Sequence, residues 1–253
     1  MATVYAYPLI FAIPFLLGIV SIGLVLVWVA EKSPARSLLQ SCSGVVGPMA
    51  SLLALLFGLF SAFLVNDVTT HTERARVAVM RQASALAVVL NVADGLGERG
   101  QALRRMAVEF GEQSTGNDWA SERQTTAAAA LNLGMLREVM FGGMAGADAT
   151  VRQTILSSIA DMRAARGEMA AVVHSQTSTL KWIAAFVLGV LTQMGVVAVH
   201  LGKPRAAGLA VTLFGCGMAF MLWVVLMRLD PFMGKNAISL APITAAYQSV
   251  LPR

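Results

Sequence analysis

The chain alternates long apolar runs with one long polar interval. The first run extends from about Pro8 to Ala30. At ~1.5 Å rise per residue, a helix of that length crosses a hydrocarbon core of about 30 Å with some tilt. A second run covers about Gly44–Asn66, a third about Trp182–Leu201 and a fourth about Ala206–Met227. Each predicts a transmembrane helix. Gly202–Lys203–Pro204–Arg205 leaves room only for a tight hairpin between the last two. Tyr5, Tyr7 and Trp28 stand near the ends of the first run, where amphipathic rings favour the interface. Pro14 is a candidate kink within it. Met1–Tyr7 holds no Lys or Arg and the run is long for a signal peptide, so it reads as a retained helix.

The polar interval, about Asp67–Lys181, lacks strand-like alternation and predicts helices only. Its first stretch, Glu73–Ala93, carries Val77, Met80, Ser84, Val88 and Val92 at helical spacing and reads as a helix continuing out of the membrane. Gly95 and Gly97 break it. A second helix, about Glu98–Glu112, has Leu103, Met106 and Phe110 on one face. Ser114–Asp118 reads as a turn, with Asp118 as N-cap of a third helix, about Trp119–Phe141. After a break at Phe141–Ala147, a fourth helix begins near Asp148 or Thr150 and carries Ile155, Ile159, Met162, Ala165 and Met169. It is expected to run on into the membrane, continuous with the third span.

The expected class is therefore an all-α membrane protein. Residues 1–66 hold the first two spans, 67–181 a helical extramembrane domain, 182–227 spans three and four, and 228–253 a short tail with a short helix near Thr244–Val250. Composition agrees. Hydrophobic residues make up 57% of the chain and charged ones 13%, against about a quarter in soluble domains. Most charged side chains lie between Asp67 and Glu168. The net charge of +5 comes from scattered Arg without a basic stripe, so it points to cations flanking membrane ends and not to nucleic acid.

Orientation draws two readings. Lys32, Arg36, Lys203 and Arg205 crowd the short loops, and by density that puts those loops in the cytoplasm. Near the other membrane ends stand Arg74, Arg76, Arg81, Arg163, Arg166, Lys181, Arg228 and Lys235. The second group is the larger, which places the insertion and both termini in the cytoplasm.

Catalytic and metal-binding patterns are lacking. There is no phosphate-binding glycine loop, no H-E-x-x-H and no nucleophile elbow, so an enzyme is not expected and no cofactor is implied. Cys42 and Cys216 show no metal spacing, and Cys216 reads as an apolar packing residue. His71 and His174 read first as solvated interfacial groups, and otherwise as a pH-sensitive pair at one membrane face. Thr192 and Gln193 are polar residues within the third span.

The second span carries the most informative pattern. Gly47, Ser51, Ala54, Gly58 and Ala62 form a small-residue face that lets helices approach in lipid. Such a face also suits an axial path in an oligomer. Ser51, Phe57, Phe60, Ser61, Asn66 and Asp67 are the candidate pore-lining residues. Phe57 and Phe60 would gate by dewetting and a ring of Asp67 would attract cations. The bland readings are lipid or helix contacts for the rings and a solvated helix end for the acid. Span four has its own small face, Gly208, Thr212, Gly215 and Ala219.

The tail carries a likeness. Leu229-Asp230-Pro231-Phe232-Met233-Gly234, followed by Ile238-Ser239 and Pro242, resembles the end of the bestrophin-like domain family of bacterial membrane proteins, where Asp-Arg-Pro-Phe-x-Gly follows the last membrane helix. Leu52–Asp67 and the helix through Arg81-Gln82-Ala83 are similar too, and the order of spans and insertion matches. Two departures stand out: the Arg between Asp230 and Pro231 is missing, and Gln82 stands where an acid is often found. No role of those two groups carries over. Read on its own, Asp230-Pro231 is a turn that stops a helix. The resemblance implies a multi-pass protein of a bacterial inner membrane. It also implies a homo-oligomeric ion channel with small ions as partners and the second span lining the pore. A second reading is a non-conducting scaffold or sensor whose insertion binds a partner. The scarcity of charge within the spans favours it over a transporter.

Overall fold

The computed structural model describes residues 8–32, 43–116, 121–143, 146–174, 179–227, 232 and 237–250. Among the described residues every regular element is helical. In chain order these are α1 (Pro8–Lys32), α2 (Ser43–Gly95), a 3-10 turn (Gly97–Gly100), α3 (Gln101–Thr115), α4 (Glu122–Phe141), α5 (Ala149–His174), α6 (Thr179–Val199), α7 (Pro204–Leu226) and α8 (Ala241–Gln248). Four of them, α1, α2, α6 and α7, are long and apolar enough to cross a membrane. These are the four expected spans. The second span and the first helix after it form one unbroken helix of 53 residues. The link between α5 and α6 lies outside the described residues.

The chain divides into two compact units. The first comprises Met1–Thr70 and Gln176–Asn236, the second His71–Ser175 and Ala237–Arg253. In the first unit α1, α6 and α7 pack on one another. Ile19, Phe57, Leu64, Val68, Ala185, Met218, Ala219, Leu222 and Val225 form its larger core. Glycines set the spacing. A β-carbon at Gly195 would lie 3.1 Å from that of Ala50, and one at Gly189 would run into Met218. Small residues allow this approach where lipid offers no hydrophobic driving force. Half of the small face foreseen on the fourth span is used in this way: Gly215 lies against Val20 of α1 and Ala219 sits in the core, whereas a β-carbon at Gly208 would meet nothing within 4 Å and the Thr212 hydroxyl donates to Gly208 O of its own helix. The α6–α7 hairpin turns at Gly202, whose φ of +83° favours glycine. Its N–H donates to Glu31 Oε1 at 3.0 Å, tying the turn to the end of α1.

The second unit is a separate helical core. Leu103 and Phe110 of α3, Met135 and Val139 of α4, and Ile155, Ile159, Met162, Ala165 and Met169 of α5 are fully buried. The stripes expected on α3 and α5 are the ones that pack, although Met106 is only half-buried. The stripe expected on the α2 extension is not. Val77 is 58% and Met80 56% exposed, and Ser84 faces outwards as well. The buried face is Ala75, Ala78, Val79, Gln82, Leu86, Val89, Leu90 and Ala93. The pattern favours Val and Met over Ala, while a tight helix contact favours Ala.

Helix ends also differ in detail from the expectation. Ser114 and Thr115 belong to α3, so no turn begins there. The N-cap of α4 is Ser121, whose hydroxyl accepts from Gln124 N at 3.3 Å; Asp118 lies outside the described residues. Asp148 starts α5 by accepting from Thr150 N at 2.7 Å. That bond lowers the Asp148 pKa below the usual carboxylate value. The tail is docked: α8 packs on α3, with Ile243 buried and Tyr247 against Gly111.

Gly100 closes the tight connection between α2 and α3. A β-carbon there would collide with the backbone carbonyl of Ala93. Gly100→Ala is expected to destabilise the second unit by about 1–3 kcal/mol through this overpacking. Thermal unfolding in detergent, compared with the native chain, measures it.

Candidate functional site

The candidate site is built on the apolar half of α2. A helical repeat of ~3.6 residues puts Gly47, Ser51, Ala54, Gly58 and Ala62 on one side. Ser51, Ala54, Gly58 and Ala62 are exposed, and Gly47 is half-buried. β-carbons at Gly47 and Gly58 would meet nothing within 4 Å. The small-residue face is thus unpacked in a single chain. The Ser51 hydroxyl donates to its own helix at Gly47 O, 3.2 Å away.

The six candidate residues fall on two sides of this helix. Ser51 and Asn66 are exposed, Asn66 near the small-residue face. Phe57 and Ser61 lie on the packed side with Ala50, Leu64 and Val68. The Phe57 ring is 8% exposed and stands 5.4 Å from that of Phe214, tilted by 58°. Phe60 is half-buried against the same core. Within one chain these two rings therefore serve packing. Asp67 lies on the side opposite Ser51 and is half-buried. Its carboxylate accepts from Lys181 Nζ of α6 at 2.7 Å. An exposed pair of this kind adds only ~0–1 kcal/mol to stability. It does neutralise the charge that a ring of Asp67 would have offered to cations.

Just beyond, the hydroxyls of Thr69 and Thr70 donate to Val65 O and Asn66 O at 2.9 and 2.8 Å. Such back-bonding satisfies the hydroxyls on their own helix. Of the family motif, Phe232 is half-buried, while Asp230, Pro231 and Gly234 lie outside the described residues. Cys42 also lies outside them, and Cys216 is a half-buried free thiol in α7. His71 is half-buried in α2, and His174 ends α5 with its side chain outside the described residues. No cluster of three or more metal-ligating side chains occurs among the described residues.

A polar cluster that periodicity does not reveal lies inside the second unit. Gln82, Ser114 and Arg166 come from α2, α3 and α5 and are all buried. Ser114 Oγ is the hub. It accepts from Gln82 Nε2 and from Arg166 Nη1, each at 2.8 Å, and donates to Phe110 O at 2.7 Å. One donor and two lone pairs are thereby all used. Arg166 Nη2 donates to Gln124 O at 3.3 Å, and the guanidinium lies over the Phe110 ring, 5.8 Å from its centroid. Burial pushes the Arg166 pKa down to about 10, so the group remains charged at neutral pH. The three residues are too far apart in sequence for any spacing rule to join them. Only the singling out of Gln82 pointed there.

A family model, the bestrophin-like domain, matches residues 17–243. Among solved structures the chain is similar to a point variant of a bacterial bestrophin homologue from Klebsiella pneumoniae. The TM-score is 0.72 at 15% identity, covering 95% of this chain and 99% of that one. A second point variant of that homologue gives 0.71 at 15% identity, covering 94% and 96%. A structure described only as a membrane protein gives 0.72 at 14% identity, also covering 94% and 96%. At such identities the likeness speaks for the fold. No curated protein matches the sequence.

Ser114→Ala removes the hub and leaves Gln82 and Arg166 each short of a bond. The expected loss is about 2–3 kcal/mol, since hydrogen bonds to buried charge are the costly ones to break. Ser84→Ala, on the exposed side of α2, should stay within about 0.5 kcal/mol of the native chain. Paired melting curves decide it.

Proposed function

This chain belongs to the bestrophin-like domain family, and from that premise we propose that it is a homo-oligomeric ion channel whose second span lines the axis. The supporting observation is the unpacked small-residue face of α2. Gly58 and Ala62 lie on a side that is exposed among the described residues. Copies arranged about an axis would bring these faces together around a narrow path, with the Ser51 and Asn66 side chains available to hydrate ions. The likeness to a bacterial bestrophin homologue supports the same reading.

The six candidates then take different roles. Ser51 and Asn66 line the path with Ala54, Gly58 and Ala62. Phe57, Phe60 and Ser61 hold α2 against its own bundle. Any narrowing by a phenyl ring requires α2 to rotate. Asp67 acts through Lys181, fixing the end of the lining segment to α6. The setting is a bacterial inner membrane, with the polar helical domain and both termini in the cytoplasm.

The second reading, a non-conducting scaffold or sensor, is favoured by one observation. Val77 and Met80 are exposed apolar side chains on a helix of the polar region, as a partner surface would be.

Reconstitution separates the two. Purified protein in liposomes should form an oligomer and pass small ions. Gly58→Trp should abolish flux while the oligomer persists, because a large apolar ring at a narrow point excludes water. Phe57→Ala should instead cost about 3–5 kcal/mol of folding stability. A monomer without flux would favour the scaffold.

A further inference from the structure

Gln193 lies in the middle of α6, one of the membrane-crossing helices, yet its side chain is 1% exposed. It faces the inside of the bundle, between α1 and α7. Neither its Nε2 nor its Oε1 has a hydrogen-bond partner among the described residues. The amide offers two donors and an acceptor with two lone pairs. In a bilayer no bulk water reaches such a group, and an unsatisfied amide there is costly. The adjacent Thr192 is buried too but is satisfied, since its hydroxyl donates to Leu188 O at 2.8 Å.

The neighbours of the amide are glycines. A β-carbon at Gly215 of α7 would lie 3.2 Å from Gln193 Nε2; one at Gly23 of α1 would lie 3.3 Å from it and would run into Val211 of α7 first. Two helices therefore dispense with a side chain at the level of the amide. Glycine in mid-helix costs stability relative to alanine; Gly215 makes room for the amide itself, and Gly23 for Val211 as well as the amide. Without side chains in front of them, helix carbonyls near Gly23 and Gly215 keep a second lone pair accessible.

We propose that Gln193 holds an ordered water molecule inside the transmembrane bundle, enclosed by α1, α6 and α7. Water both donates and accepts, as this amide requires. Buried waters typically make about three hydrogen bonds, and the amide with one or two helix carbonyls supplies that number. A bare ion fits the site less well: Val20 and Val211 stand at the same glycines as the amide, and α1, α6 and α7 carry charged residues only near their ends. The site is distinct from the exposed face of α2 and does not depend on conduction.

The test uses the full chain in lipid nanodiscs with glutamine side chains labelled by nitrogen-15. Magnetisation transferred from water is read on the Gln193 amide, assigned through Thr192 and Met194. Detectable transfer to this amide, slower than to exposed Gln153 because the water is enclosed, is the expected result. A silent Gln193 amide beside a responding Gln153 would overturn the proposal. Gln193→Met supplies a second readout. If water satisfies the amide, the apolar variant melts at or below the native temperature. A variant that melts higher means the amide was unsatisfied, and it also overturns the proposal. The transfer measurement stands even if the variant does not fold.

Discussion

Everything in this protein depends on one helix meeting two kinds of packing. α2 runs unbroken for 53 residues, roughly 80 Å at helical rise. Its first part is apolar and joins a bundle of membrane-crossing helices. Its second part carries charge and closes the core of a different helical unit. Backbone hydrogen bonds within the helix make this continuity affordable in lipid, where no other partner exists for N–H and C=O groups. In the apolar part, Phe57, Leu64 and Val68 face inwards while the small residues face out. In the polar part, Ala75, Ala78, Leu86 and Ala93 face inwards while Val77 and Met80 face out.

Small residues serve two ends on this scaffold. Gly23, Gly189, Gly195 and Gly215 are consumed in helix contacts, each with a neighbour where a β-carbon would go. Gly47 and Gly58 have none. Close packing in lipid relies on such residues, so a small face left uncovered in one chain is available to another copy. Gly18 of α1 and Gly208 and Gly217 of α7 are open too; on α2, Gly47 and Gly58 share one face with Ser51, Ala54 and Ala62, and that continuity supports the proposed axis-lining role. Under that proposal the lining falls to Ser51, Gly58, Ala62 and Asn66, and not to Phe57 and Asp67, whose side chains are engaged.

Much of the fold was legible from sequence, because apolar runs of sufficient length have one outcome in a helical chain. The stripe Ile155–Ile159–Met162–Ala165–Met169 was legible for the same reason: its large residues recur at helical spacing and bury together. The inner face of the α2 extension was not. Alanine gives a weak apolar signal, so Val77 and Met80 drew the stripe to the wrong side. The facing of Phe57 was equally hidden, since every side of a span is apolar. Long-range geometry was beyond the pattern altogether. Asp67 finds Lys181, and Ser114 gathers Gln82 and Arg166, only through the fold. Thr192 and Gln193 were visible as polar residues in a span, but only packing separates the hydroxyl bonded to its own helix from the amide that has no hydrogen-bond partner among the described residues.

The central claim is that one side of α2 meets water while the other meets protein. Cysteine scanning in liposomes tests it most directly, with Cys42 and Cys216 first replaced. Cysteines at positions 51, 58 and 62 should react with a water-soluble, membrane-impermeant thiol reagent, while those at 57 and 64 should not. Unreactive cysteines at 51, 58 and 62 that react only with a lipid-soluble reagent would place this face against lipid and contradict the account.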